Sequence, residues 1–287
     1  MSILSSPKGS PERVYAILYA KRHAGAGSQE ECAELVNPGA WSAGEQQQAN
    51  KTLFADGLSV ARALGLEDAF DTETAPASFD AWSDDVHDRL LRVEDAHLDA
   101  VLLRSYAWLV AKSDKSREVS WFVAHTNPEL ADAIGAGLGP TSDGQPAMNP
   151  TKLTAWRRWM TYLGLLTPLP LPNMRELPVP ARRLHRELAR SEFKAGQEVD
   201  ASEFLQWISQ RMPYLDGGRL FAAAAAQIGH RRTATSLSPV LSLALQDLHE
   251  RGVIRMRVVG DRAGAMQLSG DATHAVTSFH AITIGTI

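Results

Sequence analysis

The sequence contains one cysteine, Cys32, and no long apolar segment. A single thiol excludes an internal disulfide and every zinc site built from several cysteines. The most apolar short run, "LFAAAAAQIG" from Leu220 to Gly229, is about half the roughly 20 residues that a membrane helix needs. The N-terminal "MSILSSPKGSPER" lacks the apolar core of a signal peptide. We therefore expect a cytoplasmic protein that does not contact a membrane.

An excess of basic residues is absent as well. The 287 residues carry a formal net charge of −4, whereas proteins that coat nucleic acid through bulk electrostatics are usually basic. Any contact with nucleic acid should therefore depend on a local group of cations.

Catalytic motifs are also missing from the sequence. The glycine-rich stretches "GAGSQE" and "GAGLGPTSDG" lack the lysine of a phosphate-binding loop and the strand and helix of a dinucleotide site. The stretch "SDDVHD" contains Asp84, Asp85, His87 and Asp88, and we interpret it as a solvated helix start in preference to a metal site. No hydrolase or zinc-protease motif occurs. We predict no enzyme activity, no cofactor and no metal.

What the sequence does contain is a succession of amphipathic helices in three regions. The chain is long enough for two or three domains, and 44% of its residues are apolar. The stretch "DTETAPAS" and the proline-rich segment before Pro178 are loop-like. These breaks predict domains at 1–75, 76–177 and 178–287. In the second domain, the apolar spacing from Ala81 to about Lys112 predicts helix.

The best delimited helix is "NPTKLTAWRRWMTYLGLL". Asn149 is a good N-cap, Pro150 suits the first helical position, and Gly164 can end the helix. Helical spacing places one apolar stripe on this segment, at Leu153, Trp156, Trp159, Met160 and Leu163. The prolines that follow predict an extended or edge-strand segment.

A second helix with the same features lies near the C-terminus. Ser238 and Pro239 begin it, and Gly252 ends it. "VIRMRVV" then alternates as a strand, "GDRAG" supplies a turn, and "AMQL" is predicted to return antiparallel. The exposed face of this helix is predicted to carry Ser242, Gln246, His249 and Glu250. The combined pattern predicts a mainly α protein with small β wings, built from tandem winged-helix (helix-turn-helix) domains.

In a helix-turn-helix protein, the helix before the wing enters the major groove, so its exposed polar residues are candidates for DNA contacts. The wing arginines are further candidates, since Arg255 and Arg257 are two apart and lie on one side of a strand. The candidate DNA-binding residues are Thr154, Arg157, Arg158, Thr161, Arg231, Arg232, Arg255, Arg257 and Arg262. The alternatives are an ordinary solvated helix face and a charged edge strand that resists aggregation.

Two stretches resemble the DpdG family: "ILSSPKGSPERVYAILYA" near the N-terminus and "NPTKLTAWRRWMTYLGLL" in mid-chain. The chain length agrees with that family as well. DpdG proteins occur in bacterial gene clusters that place 7-deazaguanine derivatives in DNA and restrict DNA lacking them. The resemblance implies a non-catalytic accessory subunit of an anti-phage defence assembly, beside helicase-like and nuclease-like partners. It supplies no established functional residues.

Two functions therefore stay open from the sequence. The first is a DNA-binding accessory subunit of a restriction system, which contacts the DNA backbone. The second is a protein-protein adaptor, which the acidic balance and the seven tryptophans favour, since exposed aromatic side chains often anchor interfaces.

Overall fold

The computed structural model describes residues 2–5, 8–23, 29–37, 45–66, 78–95, 97–142, 144–169, 176–259, 264–270 and 276–286. These residues form mainly helices with a few short antiparallel strands. The predicted class, mainly α with small β strands, is therefore confirmed. None of the helices in these ranges has the length and hydropathy needed to cross a bilayer.

Twelve α-helices are described, and short 3-10 turns lie at Ile3–Ser5 and Leu98–Ala100. The helices are α1 (Pro11–His23), α2 (Gln29–Val36), α3 (Glu45–Ala63), α4 (Phe79–Leu91), α5 (Val101–Ser116), α6 (Ser120–Ala124), α7 (Asn127–Leu138), α8 (Pro150–Tyr162), α9 (Ala181–Ala189), α10 (Ala201–Arg211), α11 (Arg219–Gln227) and α12 (Pro239–Glu250).

The described residues also contain five short strands in two antiparallel sheets. They are β1 (Glu198–Asp200), β2 (Ile254–Arg257), β3 (Met266–Gln267), β4 (Ser278–Phe279) and β5 (Ala281–Ile284). One sheet has the order β1-β5-β2, and the other pairs β3 with β4. The central strand of the larger sheet is therefore the last of the three in the chain.

The chain divides into two compact units. The first comprises Met1–Leu102, Thr141–Gly144 and Met148–Leu163, and the second comprises Leu103–Pro140, Gln145–Ala147 and Gly164–Ile287. Because these units interleave along the sequence, their boundaries differ from those of the three consecutive domains inferred above. The division into 1–75, 76–177 and 178–287 stays a prediction.

Aromatic rings form the core of the first unit. Trp82 of α4 packs against Trp159 and Tyr162 of α8, with ring centroids 6.2 and 5.4 Å apart. Trp156 of α8 donates its indole N–H to the carbonyl oxygen of Leu102 at 3.0 Å. The predicted apolar stripe of α8 is confirmed, since all five of its side chains are buried: Leu153, Trp156, Trp159, Met160 and Leu163.

Most of the range from Ala81 to about Lys112 is helical as predicted, but the chain leaves α4 at Leu91 and begins the next α-helix only at Val101. The 3-10 turn between them carries Asp99, whose buried carboxylate accepts hydrogen bonds from the Ile3 backbone N–H and the Ser2 hydroxyl, both at 2.7 Å. Burial raises the pKa of the Asp99 carboxyl, and these two hydrogen bonds oppose that rise. This long-range contact supports a break that helical spacing alone does not reveal.

The second unit contains the larger sheet and the helices that lie between its strands in the sequence. Elements follow in the order β1, α10, α11, α12, β2 and β5. Ser238 caps α12 as predicted, since its hydroxyl oxygen accepts from the Leu241 backbone N–H at 3.2 Å. Gly252 has a φ of +72°, which agrees with its predicted role in ending this helix.

The predicted hairpin between "VIRMRVV" and "AMQL" is wrong. β2 pairs with β5, while β3 pairs with β4. Backbone hydrogen bonds hold Gln267 of β3 against the segment before α12: Gln267 donates to the Thr235 carbonyl at 2.7 Å and accepts from the Leu237 N–H at 2.9 Å. The segment that contains β3 therefore folds back toward the start of α12.

Candidate nucleic-acid interface

An open groove lies between α11 and the loop that joins α11 to α12. α11 ends at Gln227, and Gly229 has a φ of +62°, a left-handed conformation that glycine adopts without steric penalty. The groove has a volume of about 720 Å³. Phe221, Ala222 and Ala226 line it on the helix side, and His230, Arg231 and Arg232 line it on the loop side.

Arg231 is the cation of this groove that a ligand can reach most directly. Its side chain is exposed, and it forms no ion pair or hydrogen bond within the described part of the chain. Ala222 and Ala226 line the same groove, are exposed and supply an apolar floor. A guanidinium group beside an apolar surface suits a ligand that joins an anion to a flat or apolar group.

The end of α5 holds the loop side of the groove in place. His230 donates from Nε2 to Asp114 Oδ2 at 2.7 Å, and the buried Asp114 also accepts from Arg117 Nη1 at 2.9 Å. Arg117 Nη2 donates in turn to the Ser236 hydroxyl at 2.9 Å. Arg117 has a φ of +62°, a strained value for a residue other than glycine, so its conformation depends on these contacts.

A second buried carboxylate fixes Arg232. Asp216 accepts from the Ser238 backbone N–H at 2.7 Å and from the Ser238 hydroxyl at 2.5 Å, and Arg232 Nε lies 3.4 Å from its Oδ1. Burial raises the pKa of the Asp216 carboxyl, while Arg232 and Ser238 oppose that rise. The Arg232 side chain is only 18% exposed. It therefore supports the groove wall, in contrast to the free Arg231.

The face of α12 that was predicted to be exposed is mostly covered. Ser242 and Gln246 are buried, because the segment after β3 packs on them. The Ser269 backbone N–H donates to the Ser242 hydroxyl at 2.8 Å, and Gly270 lies next to the Gln246 side chain. The prediction that Ser242 and Gln246 face solvent is wrong, and α12 does not present a polar face of the kind that enters a major groove.

The arginines of β2 lie on an exposed face of mixed charge. Arg255 and Arg257 are both exposed, as predicted for one side of a strand. Arg257 Nη1 lies 3.3 Å from Glu198 Oε2 on β1, whereas Arg255 has no ion pair within the described ranges. Asp200 is exposed on β1 as well. Arg255 is therefore the freer of the two cations. Arg262 lies outside the described residues.

The candidate residues of α8 belong to the first unit and differ in exposure. Thr154 is exposed, and its hydroxyl donates to the Pro150 carbonyl at 3.2 Å. Arg158 is exposed and lies 3.5 Å from Glu12 of α1. Thr161 is half-buried. Arg157 is only 7% exposed, so the prediction that it belongs to the free surface is wrong. The N-terminal segments that pack on α8 bury more of the helix than one apolar stripe.

The model of the family described as DpdG-like matches residues 1–262 of the chain. The chain belongs to the DpdG-like family. No curated protein and no solved structure matches it. The matched part of this DpdG-like chain includes both stretches that carried the resemblance, together with α11, α12 and β2. The strands β3, β4 and β5 lie beyond it.

The tryptophans of the DpdG-like chain do not form exposed anchors. Trp82, Trp108, Trp121, Trp156 and Trp159 are buried. Trp207 is half-buried and packs against Phe193 and Phe204. Trp41 lies outside the described residues. Trp156 and Trp159 were predicted to be buried, and the other described tryptophans do not supply exposed anchors either, so the tryptophan content no longer favours an adaptor.

The candidate residues from the sequence include Arg231 and Arg232, which line the groove of this DpdG-like protein, but not Asp114 and His230, which fix its loop. Asp114 and His230 are separated by 116 residues, so no local spacing joins them. The alanine run of α11 is apparent in the sequence, but its composition does not indicate that it lines a groove. His87, which was interpreted as part of a solvated helix start, is buried within α4.

Proposed function

We propose that this DpdG-like chain is a non-catalytic accessory subunit of a bacterial restriction system that depends on DNA modification, and that it binds DNA through backbone contacts. The observation that carries the proposal is the exposed Arg231, which has no ion pair among the described residues and lies at a groove whose loop is fixed by two buried carboxylates. Arginine binds phosphate well, and a fixed loop loses little conformational entropy on binding. Arg255 is a second free cation of the same unit.

We further propose that the second unit contains a winged-helix domain. The sheet order β1-β5-β2, with β1 before the helices and β2 and β5 after α12, supports this proposal, although three helices lie between β1 and β2 where a winged helix has two. A second such domain is supported by the segment after α8, where Thr167 and Leu177 exchange backbone hydrogen bonds of 2.8 and 2.9 Å. Because the polar face of α12 is covered, we propose that arginines contact DNA phosphates and that α12 does not read base edges in the major groove.

Substituting Arg231→Gln should weaken binding of the full chain to any DNA sequence by a similar factor. Each lost phosphate contact should also lower the slope of log affinity against log salt by about one unit. Fluorescence anisotropy with a labelled oligonucleotide, titrated at several salt concentrations, measures both effects. We expect Arg255→Gln also to weaken DNA binding and to lower this slope.

Arg251→Gln is the matched control, because Arg251 is exposed and follows the end of α12, where it lies 3.0 Å from Asp247. It removes the same formal charge and should leave the salt slope nearly unchanged. The proposal is overturned if the wild-type chain shows no salt-dependent DNA binding even with its partner subunits present.

An adaptor function is the second candidate, and one observation favours it. Tyr19 of α1 and Leu35 of α2 are 50% and 55% exposed, and exposed side chains of these types can contact a partner protein. Under this function, Leu35→Ser should reduce co-elution with helicase-like or nuclease-like subunits of the same gene cluster and leave DNA binding unchanged. Unchanged co-elution would remove the support that this surface gives.

A further inference from the structure

The groove beside α11 has an apolar floor as well as a cationic rim. A DNA duplex presents mainly phosphates and sugars on its outer surface, so binding it requires cations but no apolar floor. A single strand also exposes the faces of its bases, which are apolar and can pack against a protein surface. The exposed Ala222 and Ala226 next to Arg231 therefore fit a single strand better than a duplex.

The covered face of α12 also favours a single strand over a duplex. Helix-turn-helix proteins that read duplex DNA insert this helix into the major groove. Here Ser242 and Gln246 are buried, and Ser242 accepts a hydrogen bond from the Ser269 backbone N–H. The surface that would read a duplex is thus occupied by the chain itself, whereas the groove beside α11 is open.

We propose that this groove binds single-stranded DNA, with a base packed on Ala222 and Ala226 and a phosphate on Arg231. The proposal rests on the DNA-binding function proposed above and adds the form of DNA and the residues that recognise it. A groove of about 720 Å³ lies within the roughly 300–1,000 Å³ typical of ligand sites. The contacts of His230 with Asp114 and of Arg232 with Asp216 keep the loop side in place before DNA arrives.

The test compares two identical substitutions at neighbouring positions of α11. Ala222 lines the groove, whereas Ala223 is exposed on the same helix and does not line it. Glutamate is tolerated well in helices, so Ala222→Glu and Ala223→Glu should both fold, which far-UV circular dichroism and thermal unfolding check. The probes are a labelled mixed-sequence oligonucleotide of about 20 nucleotides and the duplex formed with its complement, a length above the site sizes of single-strand binding modules.

We expect the wild-type chain to bind the single strand at least about tenfold more tightly than the duplex. Ala222→Glu should weaken single-strand binding by about tenfold, because it places a carboxylate where a base and its phosphate would lie. Ala223→Glu should change single-strand affinity by less than about twofold, because its carboxylate lies outside the groove and salt screens its repulsion of the phosphates. Arg231→Gln should weaken single-strand binding as well.

Equal binding of the two forms of DNA, or equal losses from both glutamate variants, would overturn the single-strand inference. If Arg231→Gln still lowered the salt slope in that case, the proposed DNA-binding function would stand. Normal DNA binding by Ala222→Glu together with loss of a partner subunit would make the groove a protein-binding site and overturn the inference. Absence of any DNA binding by the wild-type chain overturns both proposals.

Discussion

Replacing Trp156 with alanine should lower the free energy of unfolding by about 3–5 kcal/mol, the usual cost of removing a large aromatic side chain from a core. Trp156 is fully buried in the first unit, and its indole N–H bonds to the Leu102 carbonyl at 3.0 Å. The variant therefore loses apolar burial and leaves a buried carbonyl without this donor. Urea titration followed by far-UV circular dichroism measures the change.

Thr154→Ala is the control on the same helix. Thr154 is exposed, and alanine is the better helix former, so its free energy of unfolding should change by less than about 0.5 kcal/mol. A loss below about 1 kcal/mol for Trp156→Ala would contradict the packing of α8 described here.

Asp216→Ala should lower the free energy of unfolding by about 3 kcal/mol. Its carboxylate accepts two hydrogen bonds from Ser238 and faces Arg232, so its removal leaves the buried Ser238 backbone N–H without this acceptor. It also removes the negative charge beside the mostly buried Arg232, whose Nε still donates to the Ser236 carbonyl at 2.9 Å. Because Arg232 and the loop before α12 depend on this contact, DNA binding should weaken in the same variant even under conditions where it stays folded.

Asp247→Ala is the control for Asp216, because Asp247 pairs with Arg251 at the surface, where both side chains are more than two-fifths exposed. Surface pairs contribute about 0–1 kcal/mol, so this variant should unfold almost as the wild type does. If Asp216→Ala were equally mild, the buried network would have no structural importance. Differential scanning calorimetry of both variants gives the comparison independently of denaturant.

Local sequence patterns predicted the ends and apolar faces of the helices well. Asn149 caps α8 and Gly164 follows it with a φ of +77°, both as expected from residue type. These features depend on neighbouring residues only, so a single sequence contains the information. The capping box of α7 was equally local, since Thr126 and Glu129 bond reciprocally, but it was not recognised in advance.

Features that depend on distant residues were not predictable in the same way. Ser242 is polar and was placed on the exposed face of α12, yet it is buried because Ser269 supplies a hydrogen bond from 27 residues away. Arg157 lies at the edge of the apolar stripe, where helical spacing does not distinguish a solvated side chain from one that a neighbouring segment covers. The groove could not be predicted for the same reason, because the loop that forms its wall is held by Asp114 and Asp216, which lie far from it in the sequence.

The position of β5 in the larger sheet affects the timing of folding. β1 and β2 each pair with β5 and not with each other, so neither has its partner until Ala281–Ile284 has left the ribosome. During synthesis, β1 exposes unpaired backbone groups while more than 80 further residues are added, a separation that slows folding and favours aggregation. We therefore expect nascent chains of this protein to depend more on chaperones than their mainly helical composition suggests.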